Sequence, residues 1–279
     1  MVPSRQLCAI LDVSRSWYYA AQAKTVDAEE VALRAQIEDI VLEFAGYGYR
    51  RVTKALQRAG WTVNHKRVLR IMRAEALLCQ LKHRWVPTTD SRHGLTTYPN
   101  LLLATEVTRL NQVWVADLTY IRLPRGFVYL AAILDAYSRK VIGWALSRWI
   151  DTALTLQALD HALATRVVEA GLIHHSDRGV QYASSAYVER LQEHGIQISM
   201  AARGNPYENA QAESFFKTLK GEEVYPKEYR DAQEAERHLE RFIEDVYNTK
   251  RLHAALGYRP PAEFELLLSR EPCELALVR

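Results

Sequence analysis

The chain changes texture partway along. Up to about residue 80 its apolar positions recur at helical spacing, and from Asn111 onward alternating and continuous apolar runs take over. Ser4 to Leu11 and Ser14 or Arg15 to Ala21 predict two short helices joined by Asp12-Val13-Ser14, with Ser14 as N-cap. Between Asp27 and Phe44 the apolar residues Val31, Ile37, Ile40, Val41 and Phe44 approximate a third helix, broken by Gly46-Tyr47-Gly48-Tyr49. Arg50 to Ala59 and Asn64 to Ala74 follow as short helices; Gly60 ends one and Asn64 caps the next. Pro87, Gly94 and Pro99 make Lys82 to Asn100 a linker. Three strands are predicted at Val113 to Leu123, Phe127 to Asp135 and Val141 to Leu146, the first two joined by a Pro124-Arg125-Gly126 turn. A helix capped by Asp151 runs to about Ala164. Then come a strand at Leu172 to His175, a helix at Ser184 to His194 and a strand at Ile196 to Met200. Helices at Asn205 to Leu219 and Ala232 to Tyr247 complete the pattern.

A three-strand meander followed by alternating helix and strand is the order of the ribonuclease-H-like α/β fold, a mixed five-stranded sheet, although other α/β folds share pieces of it. The expected organisation is a short helical segment at 1–26, a helix-turn-helix region at 27–80, a basic linker at 81–108 and an α/β core at 109–270.

Charge sharpens this division. The net charge of +3 says little, but residues 1–100 hold 15 Lys+Arg against 9 Asp+Glu, leaving 21 against 24 for the rest. From Arg50 to His93 there are 11 basic and 2 acidic residues. A basic helical block beside an acidic core points to one part that holds nucleic acid and another that holds metal. The plainer alternative for the block is a solvated basic face. Within it His65, Lys66, Arg67, Arg70 and Arg73 surround a small apolar stripe, as on a helix that enters the major groove. Cys8, Cys79 and Cys273 are far apart and odd in number, which argues against a disulfide framework or zinc finger and for a reducing cytoplasm. There is no run of 18 apolar residues to span a membrane.

Three acidic residues carry the chemistry. Asp117 interrupts an apolar strand, where Asp is disfavoured and a buried carboxylate is costly without a metal or partner. Asp177, 60 positions on, follows a short strand, where open α/β sheets place ligands. Glu213 stands in register with Asn209, Lys217 and Lys220 on one helical face. Taken singly, these could be an edge-strand Asp, a turn cap and an ordinary Glu–Lys pair. Together they suit Mg2+ or Mn2+, and two such ions about 4 Å apart can serve phosphodiester chemistry. His174 and His175 are expected to pack or hydrogen-bond beside the second carboxylate.

These residues lie in longer matching stretches: Trp114 to Tyr120, Leu134 to Arg139 with Gly143-Trp144, His175 to Gly179 with Gln181-Tyr182, Gly204 to Lys220, and Tyr247-Asn248 followed by Arg251, His253 and Pro260-Pro261. Upstream, Tyr47-Gly48-Tyr49-Arg50-Arg51 matches a helix-turn-helix region. On these motifs nearly the whole chain resembles the DDE transposases and retroviral-type integrases, and most closely the second-frame (OrfB) transposases of the insertion sequence 3 family. Glu208 departs conservatively from the Asp common there. The resemblance implies a Mg2+-dependent polynucleotidyl transferase in which water or a 3′-hydroxyl attacks a DNA phosphate without a covalent protein–DNA intermediate. It implies Asp117, Asp177 and Glu213 as the metal triad and a structural role for Asp135. Expected DNA contacts are Arg50, Arg51, Lys66, Arg67, Arg70, Arg178, Lys217 and Lys220. Expected partners are element terminal inverted repeats, target DNA, further copies of the chain and an upstream-frame (OrfA) protein or fusion, since no heptad zipper is evident; the expected location is the bacterial nucleoid. A nuclease without joining activity and a DNA-binding regulator with an inactive core are the rival functions.

Overall fold

The computed structural model describes residues 4–10, 12–22, 28–79, 96–202 and 209–270. The chain divides into two compact units, Met1–Cys79 and Gln80–Arg279. The expected linker from 82 to 95 and the residues 205–208 expected to open a helix lie outside the described residues.

The first unit is helical: α1 (Ser4–Ile10), α2 (Arg15–Gln22), α3 (Ala28–Glu43), α4 (Tyr49–Arg58) and α5 (His65–Ala74). Of the apolar residues read from the sequence for α3, Ile37 and Phe44 are buried and Val31 is exposed. The core of this unit is formed by Leu33 and Ile37 of α3, Val52 and Leu56 of α4, and Val68, Ile71 and Met72 of α5. Each such side chain contributes roughly 1.5–3 kcal/mol on burial. Asn64 caps α5 by accepting the Lys66 N–H at 2.8 Å.

The second unit is built on a five-stranded sheet of order β3-β2-β1-β4-β5, with β1 (Val113–Arg122), β2 (Phe127–Asp135), β3 (Val141–Ser147), β4 (Ile173–Ser176) and β5 (Gln197–Met200). The first three strands form an antiparallel meander, and β1–β4 and β4–β5 are parallel. β1 is therefore the central strand, and the edge-strand reading of Asp117 falls. Its alternation feeds two cores. Val113, Val115 and Ile121 join α8 (Ala210–Leu219) and α9 (Ala232–Arg241) on one face. Trp114, Ala116 and Leu118 join α6 (Thr152–Thr165) and α7 (Ser185–Glu193) on the other. Gly143 makes close approach possible there: a Cβ would sit 2.3 Å from the Ala158 carbonyl oxygen of α6.

Two helices depart from the expected period. The expected single helix from Ala232 to Tyr247 is α9 continued by a π-segment, Phe242–Asn248, and α8 continues as a π-turn, Lys220–Val224. The wider turns re-aim side chains. Glu244 accepts the Trp144 indole N–H at 3.0 Å. Asn248 accepts the Val141 N–H and donates to its carbonyl, each at 3.0 Å. A final helix, α10 (Pro261–Arg270), was not anticipated from the sequence. Its Glu265 docks on Ser138, Lys140 and Arg166. No described helix is long and apolar enough to cross a membrane.

Candidate active site

The first two carboxylates are placed by strand register. β1 and β4 pair in parallel as Val113–Ile173, Trp114–His174 and Val115–His175, a constant offset of 60. Extending that offset by two residues sets Asp117 level with Asp177, just past the end of β4. Alternation points Asp117 to the face of Val113 and Val115, the face that α8 covers. Its antiparallel partner on β2 is Ala132, a small residue that leaves room beside the carboxylate.

The electrostatics confirm the proximity. Burial first, and then the charge of Asp177, push the Asp117 carboxyl well above the usual carboxylate range, and Glu213 adds to the push. The Leu118 N–H, donating at 2.8 Å, and the Lys220 ammonium pull the other way. Asp177 accepts the Gly179 N–H at 2.9 Å, and a Cβ on Gly179 would come within 3.0 Å of that carboxylate. Glu213 sits on an exposed turn of α8, its carboxyl raised by partial burial. Among the described residues no three His, Cys, Asp or Glu side chains cluster closely enough to hold one metal ion. The structure thus brings Asp117 and Asp177 together, while Glu213, on α8, is linked to them through its charge effect on Asp117.

The expected common face of Asn209, Glu213, Lys217 and Lys220 is divided. Glu213 and Lys217 are exposed, whereas Asn209, at the N-terminus of α8, is buried and donates its amide to the Ala116 carbonyl at 3.1 Å. That bond ties the Glu213 helix to the residue preceding Asp117, a link the sequence did not signal. Lys220, on the π-turn, lies over the Tyr120 ring at 4.9 Å; burial lowers its pKa and Asp117 partly offsets this. Arg178 donates to the Ala201 carbonyl at 2.9 Å. Tyr182, marked in the sequence only as part of a matching motif, has a buried hydroxyl with no hydrogen-bond partner among the described residues. Burial raises its pKa well above normal, with Tyr187, Asp117 and Asp177 adding.

The two histidines are structural. His174 faces the Tyr187 hydroxyl at 2.9 Å and is held neutral, with a pKa of about 3, chiefly by burial. His175 shares a hydrogen bond of 2.8 Å with Ser199. Asp135, wholly buried, accepts the N–H groups of Asn111, Tyr137 and Ser138 at 2.7–2.9 Å and clasps the β2–β3 turn.

The expected DNA-contacting residues of the first unit have intramolecular engagements. Arg67 pairs with Glu29 at 3.1 Å and Arg70 with Glu30 at 3.2 Å, so α5 is pinned to α3. Lys66 is exposed at the start of α5, and Arg50 and Arg51 lie over the rings of Tyr49 and Tyr47.

Comparison with known proteins agrees with this organisation. Residues 107–206 and 194–261 match two integrase core domain models, and residues 28–85 match an HTH-like domain. The insertion element IS600 uncharacterized 31 kDa protein of Shigella sonnei is 38% identical over 92% of this chain and 97% of its own length. Transposase InsF for insertion sequence IS3A of Escherichia coli strain K12 is 34% identical over 94% of this chain and 93% of its own. The transposase for insertion sequence element IS904 of Lactococcus lactis is 36% identical over 85% and 94%. Among solved structures, the catalytic core domain of BIV integrase aligns at 17% identity and a TM-score of 0.42, covering 57% of this chain and 97% of that one. With an integrase core, a helix-turn-helix-like region and full-length transposase relatives, the chain belongs to the transposases of the insertion sequence 3 family.

Proposed function

We propose that Asp117, Asp177 and Glu213 are the catalytic carboxylates of this transposase and that they hold Mg2+ or Mn2+, as two ions, during DNA cleavage and strand transfer. The observation that carries the proposal is the crowding of Asp117, within the central strand β1, against Asp177, just past the end of the parallel strand β4. Among the described residues Asp117 has a single hydrogen-bond donor, and Asp177 and Glu213 add negative charge. Oxygen-only donors of this kind suit hard divalent cations. When bound, such ions activate the attacking oxygen and stabilise the leaving one.

The chain's own residues set the geometry. β1 and β4 fix the two aspartates, and the Asn209–Ala116 bond keeps α8 over them. Glu213 completes the set as α8 settles on bound DNA. Lys217 and Lys220, on the following turns, receive the phosphate backbone of the element end. Arg178 flanks Asp177. In the helical unit, Arg50, Arg51, Lys66, Arg67 and Arg70 hold the duplex, the two pinned arginines exchanging Glu29 and Glu30 for phosphate. Two element ends must meet one target, so the active species contains at least two copies of the chain on DNA. An upstream-frame partner or fusion adds recognition of the terminal inverted repeats, and the work takes place in the bacterial cytoplasm at the nucleoid.

The test is a Mg2+-dependent cleavage and strand-transfer assay on supercoiled DNA carrying the element's own ends, with and without the upstream frame. Metal-dependent joining that disappears in Asp177→Asn and Glu213→Gln supports the assignment. Joining that survives either substitution overturns it, and nicking without joining favours a plain nuclease.

A further inference from the structure

The sheet delivers a second surface to the same centre. β1, β3 and β4 all run in one direction, so they leave the sheet at the same end. Ser147, the last residue of β3, pairs with Tyr129, which pairs with Tyr120, three residues beyond Asp117. The segment after Ser147 therefore emerges on that rim of the sheet, about 10 Å along β1 beyond the level of Asp117. Trp149 stands there with 73% of its surface exposed. This is unusual for the largest apolar side chain, since tryptophan is normally well buried. Its backbone is fixed, with the N–H donating to the Ser147 hydroxyl at 3.0 Å. Arg148 beside it is exposed and has no ion-pair partner among the described residues.

This rim is joined to Asp177. The Gln181 amide donates to the Ile150 carbonyl at 3.2 Å, and Gln181 follows the Gly179 whose N–H donates to Asp177. Trp149 is thus coupled through one side-chain hydrogen bond to the loop that carries a catalytic carboxylate. The segment also leads toward the face of the sheet opposite α8. α8, with Lys217 and Lys220, covers one face of the sheet, whereas the Trp149 segment leads into α6, which covers the other.

We propose that Trp149, with Arg148, is the platform that receives target DNA, the indole against a base and the guanidinium against a phosphate. Strand transfer needs two DNA segments at one set of carboxylates. With the α8 lysines on one side, the vacant cation and aromatic face on the other side fit the second segment. An apolar side chain that wedges into a base step of the duplex needs no particular base, as required of a surface that meets many target sequences. The proposal rests on Asp177 lying at the reacting centre.

The experiment compares two DNAs made from the element's own end: the end alone, and the same end joined to duplex target arms as in the strand-transfer product. Binding is read by fluorescence anisotropy for the full chain. The target arms should tighten binding of the wild type. Trp149→Ala should remove that gain, roughly five- to hundredfold for one base stack, while binding to the end alone changes less than about twofold. Trp149→Phe should keep most of the gain, and Arg148→Ala should reduce its salt dependence. The platform is overturned if the arms add nothing in wild type, if Trp149→Ala keeps the gain, or if it weakens both DNAs equally. An active Asp177→Asn enzyme would instead remove the site assignment, a separate result from the arm measurement.

Discussion

Asp117 and Asp135 lie on neighbouring strands of one sheet, and burial raises the pKa of both. Their surroundings differ. Asp135 accepts three backbone N–H groups, two from the β2–β3 turn and one from Asn111 ahead of β1, and Arg166 contributes a compensating charge. Among the described residues Asp117 accepts one, and the charges acting on it are those of Asp177 and Glu213, opposed by the Lys220 ammonium. A buried acid whose oxygens are satisfied by the fold serves the fold. One crowded by other acids has the surroundings expected of the proposed cation site, and its cost is carried by the rest of the core.

The largest effect expected from this contrast is on activity. Asp117→Asn should lower strand transfer by on the order of a thousandfold or more, since a metal ligand contributes several kcal/mol at the transition state. The same substitution should stabilise the metal-free protein by about 1 kcal/mol, because it removes a repelled charge. Asp135→Ala should do the reverse in urea melts, costing about 1–3 kcal/mol as three N–H groups lose their acceptor. If Asp117→Asn is the destabilising change, the contrast is wrong.

Metal addition sharpens the comparison. Mg2+ at about 100 times its dissociation constant stabilises a folded protein by about 2.7 kcal/mol. The rise in Tm should appear in wild type, persist in Asp135→Asn and vanish in Asp117→Asn and Asp177→Asn.

A smaller effect concerns pH. His174 has its folded pKa depressed from 6.5 to about 3, so below pH 6.5 the unfolded chain binds a proton that the folded chain refuses. Stability from this group is complete above pH 6.5 and declines as pH falls toward 3. The two aspartates act in the opposite sense. Their folded pKa values are raised, so from about 3.8 upward the folded state keeps protons that the unfolded state releases, and stability falls as pH rises. Removing the imidazole in His174→Phe should expose the carboxylate slope, and adding Asp117→Asn should flatten it. A pH profile unchanged by His174→Phe would refute the buried-neutral assignment.

The smallest expected effect applies the same criterion to cations. Arg67 and Arg70 are engaged by Glu29 and Glu30, whereas Lys66 is exposed on α5. Alanine at both arginines should reduce the slope of log affinity against log salt by about one per lost phosphate contact. An unreduced slope would leave these arginines as structural pins alone.

Local signals in the sequence carried much of this. Strand β2 has the predicted limits Phe127–Asp135, and Asp151 caps α6 by accepting the Leu154 N–H. Asp117 was conspicuous because a carboxylate breaks an apolar strand. The π-turns were not legible, since over one or two turns their apolar spacing matches that of an α-helix. The displacement of Lys220 onto Tyr120 went unseen for the same reason. The Asn209–Ala116 bond spans 93 residues and the Arg67–Glu29 pair 38, distances at which no local pattern reports a contact. Pro260-Pro261 registered as a motif, and its role in opening α10 did not, although proline at a first helical position is favourable.

The paired hydrogen bonds between Asn248 and Val141 bear on a different hazard. β3 is an outer strand, and an outer strand offers unsatisfied N–H and C=O groups to any passing chain. The Asn248 carboxamide presents one acceptor and one donor in the manner of a peptide group, so it occupies Val141 as a neighbouring strand would. The buried π-segment supplies the sheet with a dummy residue of β-structure. That part of the sheet is therefore closed to strand addition and to the aggregation it seeds.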